Sequence, residues 1–332
     1  SDVCSSDLLV DSFMEEAKVV HVIYRVWTEG FLGWLGTNGV TAAERQAELD
    51  RLAALLAWPD GRPHDPSARW EELGAMAGRL GNRIRAYEVT VAEAQPLLDA
   101  LSEHWRRLHD RSADLMAGLL AFVARRFGEA RLEDCYRSVL EPYIQERYMV
   151  FDIRVQPYAA TIERNLYLVM KAMRAHLCAP ARDGSLEVEE HADRVVVSFD
   201  PCGSGGRSMR GDAIEGTGSR VLAPYEFGVT QERHDWAWNE QGICYYCAHC
   251  CLALEKLPAE RWGHPVRVVD PPIWGGSAEA ASTRKRCSWT VYRSLEAIPE
   301  AAYERIGMKK PALPVIGSGG PAVMEGNDAR RP

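Results

Sequence analysis

Five of the chain's nine cysteines fall between Cys202 and Cys251, and that crowding limits the fold more than any other feature. The run Cys244-Tyr-Tyr-Cys247-Ala-His249-Cys250-Cys251 contains two C-x-x-C units that share Cys247. Two thiolates two residues apart can close on one ion in a tight turn, the basis of zinc knuckles. The second, distant pair of a structural zinc ribbon is missing, so a remote ligand must come from elsewhere in the chain. Cys202 is the best candidate. It leaves a predicted strand into Asp200-Pro-Cys-Gly-Ser-Gly-Gly-Arg207, where glycine permits a sharp turn and a close approach to another group. The fold must therefore bring a strand end to the start of a helix.

The expected ligands are Cys202, Cys247 and Cys250, with His249 and Cys244 as further candidates, and zinc is the expected metal. Three protein ligands leave a position open for water or substrate, as catalytic zinc sites do. At about 100° per residue a continuous helix gathers the four cysteines of the run on one side and turns His249 away. A helix beginning only near Cys250 would let His249 join, and Gly242 permits the turn this needs. The alternative is an iron–sulfur cluster, because Cys244, Cys247 and Cys250 form C-x-x-C-x-x-C; the usual fourth spacing and its proline are absent, so Cys202 would again have to serve. Cys287 opens a strand beside Trp289, in a position to pack in the core or to face the site. Cys135, Cys178 and Cys251 read as small buried hydrophobes. His234, just upstream of the run, is the candidate proton carrier.

Before Pro180 the chain reads as helices. Leu8–Leu35 has apolar residues at helical spacing, loosened by Gly30 and Gly33. Thr41 with Glu44 and Thr90 with Glu93 form capping boxes. The second box opens a long helix that Gly128 stops at Phe127. Ser67–Leu80, Arg131–Met149 (bent at Pro142) and a helix from Pro157 to about Cys178 complete this half. After Pro180, Leu186–Glu190 and Arg194–Asp200 alternate as a β-hairpin. Residues 208–226 are weakly patterned and read as mobile. The cysteine run continues into a helix that Pro258 ends, followed by strands at Val266–Val269 and Cys287–Arg293 and a short helix at Pro299–Ile306. The expectation is an α+β protein: a helical domain over 9–179, a small antiparallel-sheet domain over 180–310 carrying the Cys/His site, and a disordered tail over 311–332. Residues 1–8, SDVCSSDL, resemble translated adaptor sequence and are expected to be a non-native leader.

A net charge of -8 argues against a nucleic-acid partner, which would require a basic face. No apolar run reaches about 18 residues, so no membrane span is expected. The N-terminus lacks the order of a signal peptide, so the cysteines point to metal or redox chemistry in the cytoplasm rather than to disulfides. Among the remaining polar residues, Arg207 is available for a carboxylate substrate. Asp110 and Asp114, with His104 and His109 on the same long helix, read as a solvated face. Glu255 falls about 140° from Cys250 and reads as exposed or paired.

The order of hairpin, cysteine-bearing helix, strand Val266–Asp270 and closing strand Lys285-Arg-Cys287-Ser-Trp289 resembles the small α+β domains of the L-2-amino-thiazoline-4-carboxylic acid hydrolase-like and vinyl-reductase-like families. That resemblance implies a hydrolase of small C–N or C–S ring substrates, or a ligand sensor, with cysteine as nucleophile or ligand. Three readings follow. The first is a metal-dependent hydrolase or lyase of a small molecule; the second is a metal-free enzyme with Cys202 or Cys287 as nucleophile. The third is a sensor of ligand, metal or redox state.

Overall fold

Both capping boxes form. In the computed structural model, which describes residues 2–177, 185–200, 202–283 and 287–312, the Thr41 and Thr90 hydroxyls accept from the backbone N–H groups of Glu44 and Glu93. Each glutamate carboxylate reaches back to its cap, which fixes the starts of α2 (Ala42–Leu55) and α4 (Val91–Phe127). Gly128, at φ 92°, ends α4. Helix α1 (Asp2–Thr37) runs through Gly30 and Gly33 without loosening. Gly30 serves closeness instead: a Cβ there would lie 2.6 Å from Val139 on α5 (Arg131–Arg147), so the two helices pack backbone to side chain. Helix α3 (Pro66–Arg85) starts at an Asp65 cap rather than at Ser67 and continues past Gly81. Helix α6 (Tyr158–Leu177) follows the break at Pro157. No helix among the described residues is long and apolar enough to cross a membrane.

From Trp105 to Ala121 almost every α4 residue is buried, charged ones included, which makes this the central helix of the bundle. The same core continues into the second half through Tyr246, Leu252 and Val291, so the helical and α+β parts share one hydrophobic interior.

The second half is α+β as expected. Strands β1 (Ser185–Glu190) and β2 (Arg194–Asp200) form the hairpin, and β3 (Val268–Asp270) and β4 (Cys287–Tyr292) complete a four-stranded antiparallel sheet in the order β1-β2-β4-β3. Val197 and Val269 both pair with Trp289, and Val195 pairs with Val291, so these side chains share the buried face. Cys287, two residues before Trp289, projects to the same face.

Residues 208–226, expected to be mobile, are built into the fold. After the short helix α7 (Gly205–Arg210) they form a turn closed by Asp212 and Thr217, with Arg220 N bonded to Ser208 O at 2.7 Å. Pro258 does not end its helix; it sits in the first turn of α9 (Leu257–Trp262), where no amide donor is needed. Helices α10 (Ala278–Thr283) and α11 (Glu300–Glu304) follow. Cys178 and the tail from 313 onward lie outside the described residues.

Candidate functional site: a thiol-lined chamber

Four thiols from three separate segments meet at one cavity. Cys202 comes from the end of β2, Cys247 and Cys250 from the cysteine run, and Cys287 from the start of β4; His249, His176, Tyr246, Met173 and Trp289 complete much of the wall. The cavity volume is about 60 Å³, room for a few waters, an ion or cluster, or a very small molecule. The glycine-rich loop makes the convergence possible. A Cβ on Gly205 would overlap Cys247 Sγ, so only glycine lets this backbone press against the cysteine run.

The run itself winds unevenly. Gly242, at φ 79°, turns the chain, and Cys244 bridges to Val229. A 3₁₀ turn (Tyr245–Cys247) passes into a single turn α8 (Ala248–Cys250) and then a π-helical stretch (Cys251–Lys256). This departs from the 3.6-residue period, which is why His249 shares the cavity with Cys247 and Cys250 although the segment is helical from Tyr245 onward. π-Helical insertions of this kind favour functional sites. Two tyrosines hold the run against the bundle. Tyr136 on α5 donates to Tyr245 O at 2.7 Å, and the Tyr24 hydroxyl on α1 meets that of Tyr246 at 3.0 Å.

His249 is tightly placed. Its Nδ1 lies 2.5 Å from Tyr246 O, which fixes Nδ1–H as the donor and leaves Nε2 to face Cys250 Sγ at 3.3 Å. Trp27 packs edge-on at 5.2 Å. Burial lowers the His249 pKa to about 4 and pushes the Cys250 and Cys287 thiols up, so imidazole and thiols rest neutral. Among the charges near Cys250 is Arg267, a guanidinium 4% exposed whose Nε donates to Asn165 Oδ1 at 2.5 Å and which lies over the Trp289 ring. Among the described residues no carboxylate forms an ion pair with it, so it is a buried cation behind Cys250 and Trp289 rather than part of the chamber lining.

The expected ligands are thus divided. Cys202, Cys247, Cys250 and His249 line one chamber, joined by Cys287, whereas Cys244 is buried behind it as a free thiol hydrogen-bonded to Cys247. The donors surround the space rather than meet at a point. Among the described residues no three His, Cys, Asp or Glu side chains are disposed to hold a single metal ion. Cys251 faces away, accepting from Trp238 N at 3.3 Å. His234 does not line the chamber; its Nε2 meets Glu129 Oε1 at 2.8 Å, and its ring stacks on Trp236. Glu129 also accepts from Gln231 N, Glu232 N and the Tyr245 hydroxyl, so this cluster anchors the loop that precedes the run. Glu255 is paired and fully buried, holding Arg305, Trp238 Nε1 and Val269 N.

The expected solvated face of α4 is buried, and that expectation is corrected. Asp114 receives Arg207 Nη2 at 2.6 Å and Arg220 Nε at 3.0 Å, with its side chain 1% exposed. Arg106, fully buried, contacts Asp110, Asp212 and Glu215. Arg207 is therefore a structural partner of α4 and not available to a carboxylate substrate. These pairs hold the loop that carries Cys202 against the central helix. Beside them His109 and Asp110, expected on that solvated face, are joined by His176, which no sequence pattern singles out. His109 Nδ1 meets Asp110 Oδ1 at 2.8 Å, while its Nε2 meets His176 Nδ1 at 2.5 Å and the Tyr24 hydroxyl at 3.0 Å. His176 and Tyr246 bring that chain to the chamber wall. Compared with family models, curated proteins and solved structures, the chain matches none.

Proposed function

We propose that the chamber holds a soft-metal thiolate centre and that the protein uses it on a small molecule. The observation that carries this is the convergence of Cys202, Cys247, Cys250 and Cys287 on one cavity from segments far apart in sequence. Buried neutral thiols are poor nucleophiles; a bound metal is the agent that would ionise them, and thiolate donors select zinc, copper(I) or iron–sulfur centres. Arg267 adds support, since a buried cation without a carboxylate suits an occupant of net negative charge. The spread of the donors favours a cluster over one zinc ion, whose bonds of about 2.3 Å require sulfurs about 3.8 Å apart. When bound, the centre would supply charge stabilisation or electrons to a small molecule that reaches it. The chain's own part is to position four donors, exclude water through Trp289 and Tyr246, and supply Arg267 as counter-charge.

A second reading rests on the Cys250–His249 contact. A histidine with Nδ1 fixed and Nε2 facing a thiol is the arrangement of a cysteine nucleophile with its base, and it fits the thiol hydrolase implied by the aminothiazoline-hydrolase resemblance. Elemental analysis and an absorption spectrum on anaerobically purified protein, without a chelating tag, separate the two. Bound iron with sulfide and a brown colour supports the cluster, and colourless protein with zinc supports the single ion. Metal-free protein overturns the metal reading and leaves the thiol nucleophile.

A further inference from the structure

We infer that Arg267 and the phenols beside it form an anion site, distinct from the thiol chamber, that takes a planar oxyanion such as a carboxylate. A guanidinium carries five N–H donors and no acceptor, and that of Arg267 is only 4% exposed. Among the described residues its side chain makes one hydrogen bond, from Nε to Asn165 Oδ1 at 2.5 Å, and no ion pair. Two contacts fix its pose. Asn165, itself 3% exposed, also donates through Nδ2 to Val266 O at 2.7 Å, which ties it to the backbone beside Arg267. The Trp289 ring lies against the guanidinium, with Cζ 5.1 Å from the ring centroid. With Nε engaged and one face on the indole, the edge formed by the two Nη groups is left over. That edge offers two parallel N–H bonds, which match the two oxygens of a carboxylate.

The surroundings add further donors. Tyr148 and Tyr143 lie within range of the Arg267 charge, and burial keeps both phenols protonated. Among the described residues the Tyr148 hydroxyl has no hydrogen-bond partner. The rings of Tyr143 and Tyr148 meet edge to face at 5.9 Å, and Trp27 meets Tyr143 edge-on at 5.8 Å. The Trp27 indole N–H, a donor only, is buried without a partner. Buried donors without acceptors are rare in folded proteins. The Arg267 edge, the Tyr148 hydroxyl and the Trp27 indole, gathered about one pair of tyrosines, call for an acceptor that the chain does not supply. Both tyrosines are partly exposed, which puts the approach from solvent on their side, and the exposed Arg147 lies 5.6 Å from the Tyr143 ring as a second positive charge there. The field of Arg267 extends past Cys250, but hydrogen bonds need an acceptor at contact, and Arg267 is not among the chamber walls. The anion site therefore does not depend on what fills the chamber.

The test is thermal melting of the full-length chain as formate, acetate, bicarbonate or phosphate replaces chloride at constant ionic strength. Formate or acetate is expected to raise the melting temperature along a saturating curve, by about 4 °C at a hundredfold excess over Kd. Arg267→Met should abolish the rise. Tyr148→Phe should weaken the apparent affinity about tenfold, the loss of one hydrogen bond to a charged group. Acetate binding most tightly marks an organic acid as the natural occupant, and bicarbonate binding most tightly marks an inorganic one; either supports the site. No saturable response, a response that Arg267→Met retains, or phosphate acting as strongly as the carboxylates would overturn the inference. If Arg267→Met fails to fold, carbon-13 line broadening of labelled formate decides between wild type and Tyr148→Phe: broadening absent from wild type, or equal in the two, overturns it. Metal content is measured separately, so its absence would refute the metal centre and leave this result standing.

Discussion

Replacing Asp114 by alanine tests whether the buried ion pairs fix the Cys202 loop on the bundle. The carboxylate sits between Arg207 at 2.6 Å and Arg220 at 3.0 Å, and both arginine side chains are 5% exposed. The losses are unequal. Arg207 retains Asp110 at 3.6 Å and Asp212 at 4.0 Å, whereas Arg220 keeps, among the described residues, only Thr217 Oγ1, the Gly218 carbonyl and the Tyr225 ring. One buried cation is therefore stranded. Breaking a buried pair by removing one partner costs about 3–5 kcal/mol, which for a chain of this size lowers the melting temperature by about 4–7 °C. Urea unfolding of Asp114→Ala should show a lower midpoint with an unchanged slope. Adding Arg220→Met, which removes the stranded cation, should recover more than about 1 kcal/mol in a double-mutant cycle. A single variant within about 1 kcal/mol of wild type, or a double variant no better than the single, would refute the argument.

Gly205→Ala places a methyl on Cys247 Sγ, so overpacking should destabilise the fold by about 1–3 kcal/mol and change Cys247 alkylation before it changes any distant thiol; equal stability and reactivity would show that the loop does not press on the run. His64 accepts from Trp58 Nε1 through Nδ1 at 3.2 Å, and burial lowers its pKa to about 3. The unfolded chain then binds a proton there that the native chain refuses, so stability present above pH 6.5 falls as the pH drops toward 3. His64→Gln should flatten the loss measured between pH 7 and 4.5, and an unchanged slope would contradict this.

Much of the fold was legible because its signals are local. The Thr41 and Thr90 boxes, the Gly128 stop and the alternation of Arg194–Asp200 each act within a few residues, and each forms. Cysteine spacing pointed to the chamber for the same reason, since Cys247 and Cys250 stand three residues apart and the Gly203–Gly206 loop announces a close approach. What stayed hidden depends on partners far along the chain. Arg106, Asp110 and Asp114 recur every four residues and so look like a wet helix face, yet Arg207, Arg220 and Glu215 cover them from about a hundred residues away. His176 is one of several polar residues in an ordinary amphipathic helix, and only the approach of α6 to α4 makes it His109's partner. His234 drew attention by nearness in sequence to the cysteines, but Glu129 holds it elsewhere.

Whether the chamber thiols share one metal centre is tested most directly by X-ray absorption at the edge of whatever metal the purified protein carries. A shared centre gives a sulfur shell at about 2.3 Å that loses intensity in both Cys202→Ser and Cys287→Ser, because thiols from the loop and from β4 would both ligate it. A shell of oxygen and nitrogen alone, a sulfur shell indifferent to both substitutions, or protein that carries no metal would contradict it.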